Sequence, residues 1–244
     1  MQACILATAA TLSPLMVMDV GANEGEWTIS VLNKLSKDQF RGTKICLHAF
    51  EPVPSTVARL RSSIADHQFG SIAQVQQEAV SDQAGDARIA VMSETGGTNT
   101  IHPGNAIECP IQDWLDVRTT TLDAFCELHG ITHVHLAKSD TEGHDLIVLR
   151  GARGLLAAER IDAFQFEYNH RWVFSRAFLR DVFDLVAGLP YVVTRIMPAH
   201  IEVLPNWHPE LERFFEANYL LVRKPALDWF DVRHGAFDSS NTYA

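Results

Sequence analysis

The sequence lacks any closely spaced pair of cysteines. Its four cysteines, Cys4, Cys46, Cys109 and Cys126, are scattered, and no C-x-x-C pair occurs. Zinc and iron–sulfur sites are usually built from such pairs, so we expect neither kind of site. We interpret the four side chains as free thiols, which favours a reducing, cytoplasmic location.

Positive charge is also scarce. The chain has 20 lysines and arginines against 30 acidic residues, a formal net charge of −10. A protein that binds a nucleic-acid backbone needs a basic surface, so the charge argues against a nucleic-acid partner. The hydrophobic fraction of 47% and the length of 244 residues are normal for one α/β domain with its own core, and we expect residues 1–244 to form a single domain.

Long hydrophobic runs are absent except at the N-terminus, which reads MQACILATAATLSPLMVMDV. This segment has no basic residue at its start, Pro14 interrupts it, and it runs directly into the first predicted strand. We therefore interpret it as a helical lead-in and not as a signal peptide. No other run is long enough to span a membrane, so we expect no membrane partner.

Strand and helix patterns alternate along most of the chain. Apolar runs predict strands at 15–20, 44–52, 72–81, 133–140, 161–169, 191–197 and 217–224. Residues 85–122 hold short β-like pieces separated by Gly, Pro and Asn, which predict an antiparallel hairpin and a long loop inserted between strands 3 and 4. The order predicts an α/β fold with a Rossmann-like, doubly wound, mostly parallel seven-stranded sheet. We expect residues 225–244 to form a loosely ordered tail.

A glycine-spaced turn, DVGANEG, follows the first predicted strand. Gly21 and Gly25 allow the backbone to pass close to a ligand. A dinucleotide site requires G-x-G-x-x-G, and the middle glycine is missing here. Three acidic residues lie in or beside the turn, at Asp19, Glu24 and Glu26. They would repel a diphosphate, so the turn fits a ligand with an ammonium group and no phosphate, such as S-adenosylmethionine.

Glu51 ends the second predicted strand, about thirty residues after the glycine turn. An acid at this place accepts hydrogen bonds from ribose hydroxyls in both dinucleotide and adenosyl sites. Taken alone, Glu51 is as well explained by a solvated acid beside the turn-forming Pro52. Together with the glycine turn, it favours a ribose site.

Five segments, in chain order, resemble the FkbM-type methyltransferases: DVGANEGEW, AFEPVPSTVARLR, EAVSDQAGDARIAV, TTTLDAF and LAKSDTEGHDLIVLRGARGLL. These are class I enzymes that use S-adenosyl-L-methionine, mostly assigned as O-methyltransferases of sugars and natural products. The resemblance covers roughly Val17 to Asn169, and the run K-x-D-x-E-G followed by L-R-G-A is its most specific part. Ser139 departs from the family pattern, which has a branched apolar residue there.

The resemblance implies a class I methyltransferase fold and a set of cofactor-binding positions. These positions are Asp19, Gly21, Ala22, Asn23, Gly25, Glu51, Pro52, Ala79, Val80 and Asp140. The turn would lie under the methionine part of the cofactor with Asp19 supporting it, and Glu51 would hold the ribose. Ala79 and Val80 would flank the adenine, and Asp140 would point toward the reactive methyl.

Methyl transfer to a hydroxyl requires a proton acceptor, because the pKa of a free hydroxyl lies far above neutral. We predict three catalytic residues at strand ends: Asp140, His144 and Glu167. Asp140 is the first choice because it ends a central strand, and the alternative is that it caps the next helix. His144 is a candidate general base, with a surface position as the alternative. Glu167 would form the acceptor side with Asn169 and His170.

We predict no metal ligands. A Mg²⁺ ion held by Asp140, Glu142 and Glu167 would activate a sugar diol, but nothing in the spacing requires it. Acceptor specificity is expected in residues 85–122 and 197–215, which are loop-rich. The sequence thus predicts a cytoplasmic O-methyltransferase of a small-molecule hydroxyl, a sugar or a natural product. Homodimerisation is left open, and the alternatives are a nicotinamide-dependent oxidoreductase and a non-catalytic adenosyl-binding protein.

Overall fold

The structure is a computed structural model that describes residues 14–35, 40, 43–93, 97–104 and 110–235. The predicted N-terminal lead-in up to residue 13 and the thiols of Cys4 and Cys109 lie outside these residues. Cys46 and Cys126 are free thiols, as interpreted from the sequence.

The strands are β1 Leu15–Val20, β2 Ile45–Phe50, β3 Ala73–Gln76, β4 Ala79–Val80, β5 Gly85–Val91, β6 Asp113–Thr120, β7 Val134–Ser139, β8 Ile161–Tyr168, β9 Tyr191–Ile196, β10 Ile201–Leu204, β11 Ala217–Arg223 and β12 Val232–His234. The α-helices are α1 Glu26–Leu35, α2 Pro54–Ala65, α3 Leu122–Leu128, α4 Asp145–Arg150, α5 Arg153–Ala157 and α6 Leu179–Leu185. Short 3₁₀ turns occupy Gly70–Ile72, His170–Val173, Pro209–Leu211 and Lys224–Trp229. None of the helices described is long and apolar enough to cross a membrane.

The main sheet has the strand order β12-β10-β9-β11-β8-β7-β1-β2-β3. The strands from β3 to β8 in this order are parallel, and β11 runs antiparallel to both of its neighbours. The sheet is therefore mostly parallel, as predicted, but it contains nine strands and not seven. The two additional strands, β10 and β12, lie together at the edge beyond β9.

Strand β1 is buried on both faces because helices cover the sheet on each side. Its alternate residues enter two different core layers: Met16 and Met18 pack in the larger one, and Leu15 and Val17 in the other. Helices α3 and α4 close the first layer, and α1 and α2 close the second. This burial explains why β1 reads as a continuous apolar run and why its carboxyl end is held rigidly.

A second, three-stranded sheet has the order β4-β6-β5. Strands β5 and β6 pair antiparallel from Gly85↔Thr119 to Val91↔Asp113, where the sequence predicts a hairpin. The single strand predicted over 72–81 is divided, since β3 belongs to the main sheet and β4 pairs with β6. The polar residues between β3 and β4 mark the place where the chain leaves one sheet for the other.

The prediction of a loosely ordered tail from Pro225 is wrong for residues 225–235. Ala226 is fully buried, and β12 pairs in parallel with β10. Leu227, Trp229 and Phe230 pack against the core layer under α1 and α2, which gives this segment the apolar contacts that order it. Residues 236–244, whose polar composition suggested a tail, lie outside the described part of the chain.

Candidate active site

The glycine turn crosses directly over the end of β7. Gly21 has a φ of +73°, and a Cβ there would lie 2.0 Å from the carbonyl oxygen of Asp140. The backbone N–H groups of Gly21 and Ala22 both donate to the carbonyl of Phe50, at 3.1 and 2.9 Å. Gly25 (φ +99°) packs against Leu60 of α2 instead, so its role is to let the turn enter α1. The turn therefore joins the ends of β1, β2 and β7 in one place.

Asp19 lies beneath the turn and is fully buried. Thr28 Oγ1 donates to Asp19 Oδ2 at 2.7 Å, and Lys138 Nζ lies 3.6 Å from Asp19 Oδ1 and 3.2 Å from Asp140 Oδ2. Burial raises the pKa of Asp19, while Lys138 opposes that rise. Asp19 thus lines no ligand pocket; it supports the turn from below and couples it, through Lys138, to Asp140.

Glu51 is only 7% exposed and accepts two backbone hydrogen bonds. The N–H of Val53 donates to Oε1 at 2.9 Å, and the N–H of Asn23 donates to Oε2 at 3.2 Å. Burial raises the pKa of Glu51 to about 7 despite these bonds. The carboxyl group is therefore fixed in orientation, with further lone pairs facing a cavity.

This cavity, the first pocket, has a volume of about 210 Å³. Seven of the predicted cofactor-binding residues line it: Gly21, Asn23, Glu51, Pro52, Ala79, Val80 and Asp140. Ile89 and Ile101 of the inserted hairpin region add to its apolar wall. Glu78, whose pKa is raised by burial, also lines it. An apolar slot with carboxyl groups on its walls is suited to a nucleoside.

The segment 97–101 also lines the first pocket, although the sequence does not predict cofactor-binding residues there. Gly97, Asn99 and Thr100 all line the cavity. Asn99 Oδ1 accepts from the N–H groups of Met92 and Ser93, and Thr100 Oγ1 donates to the carbonyl of Glu142 at 2.8 Å. These polar residues follow no periodic pattern. The only prediction that covers them is the general one that residues 85–122 determine acceptor specificity.

His144 lines the first pocket and is only 5% exposed, so it is not a surface residue. Its Nδ1 lies 2.8 Å from His102 Nε2, and its Nε2 lies 3.1 Å from Ser81 Oγ. Burial, assisted by His102, lowers the pKa of His144 to about 3. A histidine with so low a pKa stays neutral and accepts protons poorly, so His144 is not suited to act as a general base. Its contact with His102 instead connects the start of α4 to the inserted segment.

A second pocket of about 410 Å³ adjoins the first. Gly21, Asn23 and Asp140 line both cavities. The rest of the second pocket is formed by Ala22, Glu26, Trp27, Lys138, Gln165 and Asn218. Asp140 thus stands where the two pockets meet, which is the position expected for a residue near a reacting centre.

Glu167 ends β8 and lines neither pocket. Its Oε2 accepts from Asn169 Nδ2 at 2.7 Å, and its pKa is raised by burial and then by the carboxyl groups of Asp140, Asp145 and Glu142. Glu142 pairs with Arg171 at 2.9 Å, and burial still raises its pKa to about 7. Burial and the neighbouring carboxyl groups therefore favour the neutral form of Glu167, and the structure places this predicted acceptor-side residue outside both pockets.

Asp145, the first residue of α4, bonds back to the end of β7 and to the loop that follows it. Its Oδ1 accepts from Thr141 N at 3.1 Å and from Ser139 Oγ at 2.6 Å. Ser139, the departure from the family pattern, thus contributes a buried hydrogen bond. The structure therefore does not support the alternative prediction that Asp140 caps this helix.

Among the described residues, one group of three side chains has the proximity needed for a metal ion. It comprises His133, His135 and Asp162, whose ligand atoms lie within 4.8 Å of one another. The group lies at the amino ends of β7 and β8, opposite the two pockets, and Arg223 already binds Asp162 at 2.7 Å. Asp140, Glu142 and Glu167, the carboxyl groups considered for Mg²⁺ from the sequence, are not members of this group.

The strand order, the glycine turn and the acid after β2 define the fold of a class I S-adenosylmethionine-dependent methyltransferase. The family model described as methyltransferase FkbM domain matches residues 19–213, and the chain belongs to this family. Family membership implies S-adenosylmethionine as the methyl donor.

Solved structures that are similar to this chain include two methyltransferases. The methyltransferase FkbM from Methylobacillus flagellatus KT is similar over 89% of this chain, with a TM-score of 0.52 and 15% identity, and this chain spans about half (47%) of its length. An O-methyltransferase from Bacillus cereus, solved in complex with SAH, covers 91% of this chain and is itself covered to 80%, with a TM-score of 0.47 and 9% identity. No curated protein matches the sequence.

Proposed function

We propose that this chain is an S-adenosylmethionine-dependent O-methyltransferase that acts on a hydroxyl of a small molecule, a sugar or a natural product. The observation that carries the proposal is the pair of joined pockets, with Glu51 on the wall of the first and Asp140 at their junction. One pocket suits a nucleoside, and the other leaves room for a second molecule beside Asp140.

The residues of the first pocket fit the adenosyl part of the donor. Two backbone N–H groups orient the Glu51 carboxyl group, and its other lone pairs can accept hydrogen bonds from ribose hydroxyls. Pro52, Ala79 and Val80 form an apolar surface for a flat ring, and Glu78 can accept from an exocyclic amine. The turn from Gly21 to Asn23 would lie under the methionine part.

Asp140 is the proposed proton acceptor. When bound, S-adenosylmethionine supplies a methyl group on a sulfonium, which is already a good leaving group. The protein must then align the acceptor hydroxyl and remove its proton. Lys138 Nζ lies 3.2 Å from Asp140 Oδ2 and holds this carboxylate at the junction of the two pockets.

Two alternatives make different predictions. A nicotinamide-dependent oxidoreductase would bind a diphosphate at the glycine turn, where Glu24 and Glu26 stand and where the middle glycine of the dinucleotide pattern is missing. A non-catalytic adenosyl-binding protein would bind the donor without transferring its methyl group. Neither alternative accounts for the carboxyl group of Asp140 at the junction of two pockets.

The test is methyl transfer from labelled S-adenosylmethionine to a panel of hydroxylated small molecules. We expect label on at least one neutral sugar or natural-product acceptor. Asp140→Asn should lower kcat much more than it changes the Kd of the donor, whereas Asp184→Asn, at an exposed carboxylate of α6, should change neither. Full activity of Asp140→Asn would remove Asp140 from the mechanism. A rate that falls on prolonged EDTA treatment and returns with Mg²⁺ would show that a metal is used.

A further inference from the structure

We infer that the part of the second pocket formed by Trp27, Lys138, Gln165 and Asn218 binds a neutral, hydroxyl-bearing part of the acceptor. The inference rests on the proposed function and names a subsite for it. It concerns the wall of the second pocket that lies between the start of α1 and strands β7, β8 and β11.

The pairing register places these side chains on one face of the sheet. Lys138 is opposite Asp19 on β1 and opposite Gln165 on β8, so the three side chains form a row. Helix α1 covers this face, since Thr28 bonds Asp19 and Trp27 lies in its first turn. This subsite is therefore a slot between α1 and the sheet, in the same pocket that Asp140 lines.

Distance along the sheet separates this subsite from the methionine part of the donor. Strand β8 is two strands from β1, and β11 is three strands away. At about 4.8 Å per strand, Gln165 and Asn218 lie roughly 10 and 14 Å from the end of β1. The donor's amino-acid end is assigned to the turn at Gly21–Asn23, so the end of the wall that Gln165 and Asn218 form is left for the acceptor.

Two buried polar atoms of this slot have no hydrogen-bond partner in the described part of the chain: Trp27 Nε1, a donor, and Gln165 Oε1, an acceptor. Gln165 is 7% exposed, and its Nε2 donates to Asn218 Oδ1 at 2.7 Å, which fixes the orientation of the amide. Leaving such a group unpaired costs about 1–3 kcal/mol. A hydroxyl both donates and accepts, so a polyol can satisfy both kinds of group.

The charges of the slot disfavour an ionic ligand. Lys138 is the one cation among the residues that line this pocket, and Asp19 and Asp140 already neutralise it at 3.6 and 3.2 Å. A phosphate or carboxylate would therefore meet the net negative charge of Asp140 and Glu26. An ammonium group would have to compete with Lys138 for Asp140. Trp27 lines the slot with Lys138 Nζ lying 5.8 Å from the centre of its ring, so the aromatic wall already holds a cation and is better suited to a neutral saccharide than to a charged one.

The test uses Gln165→Met, which removes the unpaired acceptor at similar volume, and Trp27→Phe, which removes the Nε1 donor and keeps a ring. The matched control is Gln74→Met, an exposed glutamine on β3 of the same sheet. Binding of a panel of neutral methyl glycosides is measured by saturation-transfer NMR with S-adenosylhomocysteine present. The corresponding sugar phosphates, uronates and amino sugars are measured in parallel.

We expect saturable binding of at least one neutral glycoside, weakened about tenfold or more in Gln165→Met and Trp27→Phe and unchanged in the control. The Kd of S-adenosylhomocysteine should change by less than about threefold in all three variants. A tenfold loss of S-adenosylhomocysteine binding in Gln165→Met would assign the slot to the donor and overturn the inference. Preferential binding of a charged sugar, or binding of no neutral glycoside, would also overturn it. Failure of the wild type to bind S-adenosylhomocysteine would instead refute the proposed function.

Discussion

Replacing Glu51 with glutamine tests the electrostatics of the first pocket. Burial raises the pKa of Glu51 from 4.5 to about 7, so the folded state holds this proton more tightly than the unfolded chain does. The resulting stability is fully present below pH 4.5 and is lost as the pH rises through 7. At about 1.4 kcal/mol for each pKa unit, the loss amounts to about 3 kcal/mol.

Glutamine does not titrate, so it removes this pH dependence. It also lowers the free energy of unfolding by an amount that is the same at every pH. Its side chain has one acceptor oxygen, so one of the two backbone N–H groups, of Asn23 or Val53, faces an N–H₂ group instead. That mismatch costs about 1–3 kcal/mol at every pH. The variant should therefore be less stable than the wild type near pH 5 and should reach or exceed wild-type stability above pH 8.

Urea denaturation at a series of pH values measures both curves. The difference in unfolding free energy, wild type minus Glu51→Gln, should fall by about 3 kcal/mol between about pH 5 and about pH 8.5. The matched control is Glu24→Gln in the same turn, where an exposed pair with Arg59 is worth less than about 1 kcal/mol. Parallel pH profiles for the wild type and Glu51→Gln would refute the account of this carboxyl group.

Three further variants follow from the same contacts. Gly21→Ala should abolish folding or donor binding, because its Cβ would lie 2.0 Å from a carbonyl oxygen, whereas Gly130→Ala, with nothing within 4 Å, should cost only about 1–2 kcal/mol on denaturation. Lys138→Met should lower the unfolding free energy by about 3–5 kcal/mol, since it leaves the buried carboxylate of Asp19 unpaired, and a loss below about 1 kcal/mol would contradict this. Thr100→Val removes the hydroxyl that bonds both the Glu142 carbonyl and the His102 N–H, so it should raise the Kd of S-adenosylhomocysteine about three- to tenfold and lower the unfolding free energy by about 1–3 kcal/mol, as calorimetry and denaturation would show.

The parts of the site that the sequence predicts are those built from neighbouring strand ends. Gly21 and Glu51 could be found because parallel strands β1 and β2 end side by side, and a strand–turn–helix pattern marks each end. Asp140 could be placed for the same reason, since β7 pairs with β1. Their positions depend on local patterns and on the simplest sheet topology.

The parts of the site that the sequence does not predict depend on packing between segments that are far apart in the chain. His102 and His144 are 42 residues apart, and their contact requires the inserted hairpin to fold back over α4. The low pKa of His144 follows from that burial, which residue type alone does not reveal. Gln165 and Asn218 are 53 residues apart and meet only because β11 runs antiparallel beside β8.

The measurement that tests the central claim most directly is calorimetric titration of the purified chain with S-adenosylmethionine, S-adenosylhomocysteine and NAD. We predict saturable binding of the first two and none of NAD, with binding strongly weakened in Glu51→Ala because the ribose loses its acceptor. Binding of NAD without binding of S-adenosylmethionine would contradict the account.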